Sequence, residues 1–186
     1  MSYQAVTDKR IKALATVVAW FDGESSIFGR IGPNGENSEA VLKMLTTASE
    51  SEQEYYETGN YEATKKMANF RPVNDKTPLV VRQSIDYYDV RSENTPYSNM
   101  QPNMMIAVDP LFNFSNIADR LYMPFLVITG TKAITYQMAQ ETFAAAIEPK
   151  EYFEIDEASH HELYDIDKYT DQAARKIDSF FKSYIK

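Results

Sequence analysis

Two adjacent histidines near the C-terminus, His160 and His161, are the residues of this sequence best suited to proton transfer. They are the only histidines among its 186 residues. An imidazole changes charge near neutral pH, so it can take a proton in one step of a reaction and return it in the next. The alternative is that both rings are ordinary loop residues, and the residue types alone leave both interpretations open.

Several other chemistries are excluded by residues that the sequence lacks. It contains no cysteine, which removes thiol nucleophiles, disulfides and thiolate zinc sites. Spacing places no third ligand beside the histidines, so no metal site is predicted. Gly29, Gly32 and Gly35 have the wrong spacing for a dinucleotide fingerprint and are typical of a turn. No phosphate-binding loop is present either, so we expect no cofactor. The Gly-x-Ser-x-Gly elbow that positions a serine nucleophile is also absent.

The charge and the hydropathy of the sequence limit the classes of binding partner that we expect. The formal net charge is −8, and an acidic chain with scattered lysines and arginines repels nucleic acid. The apolar run Leu14 to Phe21 is too short to span a bilayer, and no signal peptide is recognisable. We therefore expect no nucleic-acid or membrane partner, a cytoplasmic location, and a small-molecule substrate or ligand.

Three short apolar segments predict the strands that would position the histidines. They are Ile11–Phe21, Phe125–Thr129 and Glu151–Ile155, and we expect the first to be buried on both faces. Helical periodicity over Tyr136–Ile147 and Asp167–Ile185 alternates with them. This alternation indicates an α/β fold with a small, mainly parallel sheet of about three strands and flanking helices. The histidines follow the third strand, at the sheet edge where such folds bind ligands.

The segment from about 29 to 120 is predicted to be a helical and irregular insert within a single domain over 1–186. Gly59 is a plausible end of its first helix, and Pro78 can occupy the first turn of a later one. The predicted elements are a helix over Ser38–Tyr56, short helices over Asn60–Met67, Leu79–Tyr88 and Asn113–Leu121, and an irregular segment over Ser92–Pro110.

Both ends of the chain resemble a known family. Thr7 to Val17 (TDKRIKALATV) is similar to the segment after the nucleophile helix in α/β-hydrolases of the dienelactone-hydrolase-like bacterial group. Glu148 to Glu151 (EPKE), followed by Ala158 to Asp165 (ASHHELYD), resembles that group's last strand and histidine loop. Pro124 to Gly130 resembles the strand before it. The resemblance implies that the three strands are the last three of a hydrolase sheet, so that the chain is the C-terminal half of such a fold.

The resemblance also implies roles for individual residues. His160 aligns with the catalytic base, and His161 with a neighbouring position that is not catalytic. The family often carries its acid after the second of these strands, where this chain has Lys132 to Ile134 (KAI) and no carboxylate. Some hydrolases carry the acid after the preceding strand, where Asp22 stands. Asp22 is therefore the candidate that orients the imidazole, although a turn residue that ends the strand is an equally good interpretation.

The same comparison implies that the nucleophile elbow and oxyanion-hole loop lie upstream of Met1. Ser25, Ser26 and Ser159 are near expected strand ends, but none is in an elbow motif. Two hypotheses follow. The chain is part of a hydrolase of small ester-like substrates, incomplete or inactive alone, because acyl transfer needs an activated nucleophile. Alternatively, it is a catalytically inert hydrolase-like module that binds a small ligand or a protein partner.

One further expectation concerns assembly. In the family's sheet, the strand predicted at Ile11–Phe21 has another strand beside it. Without that neighbour the apolar edge would be open, and open edges pair readily. We therefore expect a homo-oligomer that covers this edge.

Overall fold

A computed structural model describes residues 2–23, 38–60, 73–75, 77, 79–92, 102–108 and 111–185. The chain divides into two compact units. One comprises Met1–Asp22 with Phe112–Lys186, and the other comprises Gly23–Leu111. The predicted glycine turn at 29–35 and nearly all of the predicted helix at 60–67 lie outside the described residues.

The first unit is built on a sheet of three parallel strands. They are β1 (Leu14–Val17), β2 (Phe125–Gly130) and β3 (Lys150–Ile155), and their order in the sheet is β1-β2-β3. In register, Val17 lies opposite Ile128 and Gly130 lies opposite Ile155. All three strands therefore end at the same edge. The predicted fold class, an α/β fold with a small parallel sheet, is confirmed.

Six helices are described along the chain: α1 (Ser2–Thr7), α2 (Ser38–Thr58), α3 (Leu79–Ile85), α4 (Tyr136–Ala145), α5 (Glu162–Asp165) and α6 (Asp167–Tyr184). In addition, 3-10 helices span Asn103–Ala107 and Phe114–Arg120, and a π-helix spans Asp86–Arg91. Among the described residues, no helix combines the length and the apolar character needed to cross a membrane.

The first strand is shorter than the sequence predicts. Only four residues of the apolar run Ile11–Phe21 pair with β2, and of these only Leu14 is buried while the other three are half-buried. The prediction of a long strand buried on both faces is therefore wrong. Val18 ends the strand, because its φ of 41° lies in the left-handed region, which is incompatible with a pleated strand.

The central strand β2 is mainly apolar because it is covered on both faces of the sheet. Phe125 and Val127 pack into a core cluster on one side of the sheet, with Phe21 and Phe114. Leu126 and Ile128 point to the other side, into a cluster that includes Phe180 of α6. Because alternate side chains of a strand face opposite sides, a strand covered on both faces has few polar positions, and Thr129 is the one polar side chain of β2.

Lys150, the first residue of β3, caps the C-terminal end of α4. Its Nζ atom donates to the carbonyl oxygens of Phe143 at 2.7 Å and Ala146 at 2.6 Å. These carbonyls lack helical partners and form the negative end of the helix dipole. We expect Lys150→Met to lower the free energy of unfolding by about 1–2 kcal/mol, as charge-assisted hydrogen bonds are lost, measured by urea titration at pH 7.

Lys182 provides the matched control for this substitution. Its Nζ contacts Asp178 at 2.7 Å on the surface of α6, with three quarters of the lysine side chain (75%) exposed. Exposed pairs of this type contribute little to stability. Lys182→Met should therefore leave the urea midpoint nearly unchanged, and equal losses in the two variants would contradict the capping role of Lys150.

Two of the helices predicted in the second unit, over Ser38–Tyr56 and Leu79–Tyr88, are found. Gly59 directly follows α2 with a φ of 73°, and its amide donates to the carbonyl oxygen of Tyr55 at 2.9 Å, as expected for a helix-ending glycine. The predicted helix over Leu79–Tyr88 is found as α3 and the π-helix that continues it. Within the segment predicted to be irregular, Asn103–Ala107 forms a 3-10 helix.

Candidate active site around His160

His160 lies in the connection between β3 and α5, at the sheet edge where all three strands end. The turn after β3 passes through Glu157, whose φ is 61°, and then through Ala158, which is fully buried. His160 follows with 6% of its surface exposed. The sequence therefore places an imidazole in the interior, close to the end of the strand before it.

The loop after β2 fixes this connection. The amide of Thr131 donates to the carbonyl oxygen of Ile155 at 3.1 Å, and that of Lys132 to the carbonyl oxygen of Ala158 at 3.0 Å. The amide of Glu157 donates back to the Thr131 hydroxyl at 2.9 Å, and its carboxylate pairs with Lys132. Backbone contacts at this density hold the two loops in one relative position.

The ring of His160 is contacted by groups from all three post-strand connections. Its Nδ1 atom lies 3.2 Å from the hydroxyl oxygen of Thr135, in the loop after β2. Its Nε2 atom lies 2.6 Å from the hydroxyl oxygen of Tyr164, on α5. Trp20, in the segment after β1, meets the ring edge-to-face at 6.3 Å between centroids. Both ring nitrogens are thus hydrogen-bonded to neutral hydroxyls.

Burial governs the protonation of His160. Removing the ring from water disfavours its charged form, and the neighbouring His161 adds repulsion, so the pKa of His160 falls from 6.5 to about 4. The imidazole is therefore neutral at physiological pH. A neutral imidazole has one nitrogen that can accept a proton and one that cannot, so its hydrogen-bond partners decide which nitrogen is available.

Asp22, the candidate acid, is buried with 4% of its surface exposed. It lies after β1 and forms a backbone bridge with Asn113, beside the hydrogen bond from the Phe114 amide to the Phe21 carbonyl oxygen. Among the described residues, the hydrogen bonds of the His160 ring go to Thr135 and Tyr164 rather than to Asp22. The structure thus brings His160 together with hydroxyls, and the role of Asp22 stays a prediction.

The serines considered as nucleophiles are in different situations. Ser25 and Ser26 lie outside the described residues. Ser159 is buried, and its amide donates to the carboxylate of Glu162 at 2.9 Å, which ties down the loop just before His160. Its hydroxyl oxygen has no hydrogen-bond partner within the described part of the chain. Ser159 is therefore a structural neighbour of His160 without a visible activating contact.

The sequence reasoning missed Thr135, Tyr164 and Trp20. Tyr164 had a detectable signal, because it stands four residues after His160 and a single helical turn brings such residues together. Thr135 directly precedes α4, where threonine ordinarily acts as a helix cap, yet its hydroxyl makes no capping bond. The hydroxyl contacts Nδ1 of His160 instead.

Within the described ranges, no group of three or more histidine, aspartate or glutamate side chains could hold a metal ion. A shallow depression lined by Lys9, Lys12 and Tyr122 lies beside the residues that precede β1 and β2. This is the sheet edge opposite His160, so the depression is separate from the histidine site.

Comparison with known proteins agrees with this architecture. No family model matches the chain. The uncharacterized protein YcjY of Escherichia coli (strain K12) is 25% identical over 183 residues, covering 96% of this chain and 58% of that protein. The crystal structure of the hypothetical protein PA2218 from Pseudomonas aeruginosa matches with a TM-score of 0.67 and 22% identity, covering 99% of this chain and 57% of that one.

A third match carries a descriptive name. The alpha/beta hydrolase GrgF from Penicillium sp. sh18 matches with a TM-score of 0.70 and 16% identity, covering 99% of this chain and 59% of that one. Identities this low show the fold alone, and the chain accordingly has an α/β-hydrolase-like fold. It spans less than two thirds of the length of each of these proteins.

Proposed function

We propose that this chain supplies the histidine corner of a site that hydrolyses small ester-like substrates, with His160 as the general base. One observation carries the proposal. A buried imidazole follows β3 of an α/β-hydrolase-like sheet and is contacted by Thr135 and Trp20 from the connections after β2 and β1. A ring positioned by three separate connections is suited to transferring protons at a defined place.

The finer assignments belong to the same proposal. The dienelactone-hydrolase-like resemblance and the position of the three strands as the last of a hydrolase sheet rest on the residues of the two chain ends. Asp22 is the proposed acid at the end of β1. The nucleophile and the oxyanion hole are proposed to come from outside the described residues.

A second candidate function is an inert hydrolase-like module that binds a small ligand. The observation that favours it is the hydroxyl of Tyr164, which lies 2.6 Å from Nε2, where a nucleophile would have to bind. Tyr164 is partly exposed (38%), so the side chain borders solvent while its hydroxyl contacts the ring. In this alternative, His160 is a hydrogen-bonding group and transfers no proton.

Hydrolysis of an activated ester tests the proposal. We expect p-nitrophenyl acetate to be turned over above the buffer rate, by this chain or by the product of the complete reading frame that encodes it. His160→Gln should lower kcat/KM by about 100-fold or more, the typical contribution of a general base. Release of p-nitrophenolate at pH 7.5 measures this.

His161→Gln is the matched control, since the same substitution is made one residue away. We expect it to retain most of the turnover. A wild-type rate equal to the buffer rate for both proteins would favour the inert module. A rate that is unchanged in His160→Gln would remove His160 from the mechanism.

A further inference from the structure

The hydrogen atoms around His160 can be assigned by counting donors and acceptors. Thr135 is fully buried, and among the described residues its hydroxyl has one hydrogen-bond partner, Nδ1 of His160. The Tyr164 hydroxyl bonds to Nε2 and its side chain is partly exposed. A neutral imidazole carries one N–H, so the three groups share three hydrogens, and each hydrogen needs an acceptor.

The two tautomers of His160 satisfy these groups unequally. If the hydrogen is on Nε2, Thr135 donates to Nδ1, Nε2–H donates to Tyr164, and the phenolic hydrogen of Tyr164 is left to solvent or to another neighbour. If the hydrogen is on Nδ1, Nδ1–H donates to Thr135, and the hydroxyl hydrogen of Thr135 then has no acceptor among the described residues. A buried donor without an acceptor disfavours a state by roughly tenfold or more.

We propose that Thr135 is a positioning residue that holds His160 as the Nε2–H tautomer by donating its hydroxyl hydrogen to Nδ1. The inference goes beyond the proposed function and does not depend on it. A base that activates a nucleophile at Nε2 needs its hydrogen on Nδ1. A carboxylate beside Nδ1 can only accept a hydrogen bond, whereas the hydroxyl of Thr135 can also donate. Thr135 therefore favours the tautomer in which Nε2 cannot take a proton, so His160 can act as the proposed base only after its hydrogen has moved to Nδ1.

Backbone hydrogen bonds hold Thr135 in place beside the ring. Its own carbonyl oxygen accepts the amide of Ala139 at 3.0 Å, which begins α4. The amide of Ala133 bonds to the carbonyl oxygen of Gly130 at 3.0 Å, which closes the turn leading to it. Backbone bonds on both sides thus fix the position of the residue, from which its hydroxyl lies 3.2 Å from Nδ1.

Nitrogen NMR on the two histidines tests the proposal directly. Long-range ¹H–¹⁵N correlation at pH 7 distinguishes a protonated ring nitrogen from a bare one, and His161→Gln assigns the remaining signals to His160. We expect Nε2 to be protonated in the wild-type protein and in Thr135→Ser, which keeps the hydroxyl. In Thr135→Val, the Nδ1 resonance should move downfield, toward that of a nitrogen without a hydrogen bond.

Thr135→Asp is expected to reverse the tautomer preference of His160. A carboxylate accepts only, so we expect the hydrogen to move to Nδ1 and the tautomer ratio to invert. A wild-type protein with Nδ1 protonated would overturn the proposal, as would a Nδ1 resonance that is the same in Thr135→Val and wild type. If Thr135→Asp does not fold, these two measurements still decide the question.

The NMR result is separate from the proposed function. If the tautomer behaves as expected but no variant hydrolyses esters, the positioning role of Thr135 stands and the hydrolase proposal fails. If esters are hydrolysed while Nδ1 carries the hydrogen in the wild-type protein, the hydrolase proposal stands and the role of Thr135 fails.

Discussion

Gly130→Ala is expected to lower the free energy of unfolding by about 3 kcal/mol or more, through overpacking against backbone. A Cβ atom at this position would lie 2.1 Å from the carbonyl oxygen of Ala158. That oxygen also accepts the amide of Lys132 at 3.0 Å, so it cannot retreat without breaking the contact between the two loops. The substitution should therefore disturb both the stability of the sheet and the position of His160.

Gly59→Ala separates this clash from the general cost of replacing a glycine. Gly59 has a φ of 73° and no atom within 4 Å of its would-be Cβ, so only backbone conformation opposes the alanine. That opposition amounts to about 1–2 kcal/mol. Urea unfolding of both variants, followed by circular dichroism, measures the difference. Equal losses would show that the two loops can move apart at Gly130.

Acidification from pH 7 to pH 5 is expected to destabilise the protein by about 2 kcal/mol through His160 alone, from the difference between its folded and unfolded pKa values. The pKa of His160 is lowered from 6.5 to about 4, first by burial and then by the charge of His161. The folded state therefore binds fewer protons than the unfolded state. The stabilisation is fully present above pH 6.5 and is lost as the pH falls toward 4.

The measurement is the slope of unfolding free energy against pH in wild type and in His160→Gln. Other groups that titrate in this range contribute to both proteins, so the difference between the slopes isolates His160. The variant should lose about 2 kcal/mol less than the wild type over the same interval. Parallel curves would show that the ring takes up its proton in the folded state with an ordinary pKa.

Helices and strands whose own residues show a clear apolar pattern could be predicted from the sequence. The continuous apolar run that predicts Phe125–Thr129 is found as β2, which Gly130 completes. The periodic stripe that predicts Asp167–Ile185 is found as α6, which ends at Tyr184. In both, the burial that stabilises the element is visible in the spacing of its own residues.

The partners of His160 could not be predicted, because they depend on register between distant segments. Thr135 reaches the ring only because Gly130 and Ile155 lie opposite each other in the sheet. Trp20 reaches it only because β1 stops at Val17, seven residues into the apolar run that starts at Ile11. Apolar content alone does not show where pairing ends, since Val18 continues the composition of the strand while its backbone leaves it.

The order of the strands along the chain has an entropic consequence for the site. Contacts between β2 and β3 join residues about 25 positions apart, such as Phe125 and Lys150, whereas the contact of Thr16 with the Leu126 carbonyl oxygen spans 110 positions. Closing the longer loop costs about 1 kcal/mol more in chain entropy. Placing Trp20 beside the ring therefore costs more chain entropy than placing Thr135 or Tyr164 there.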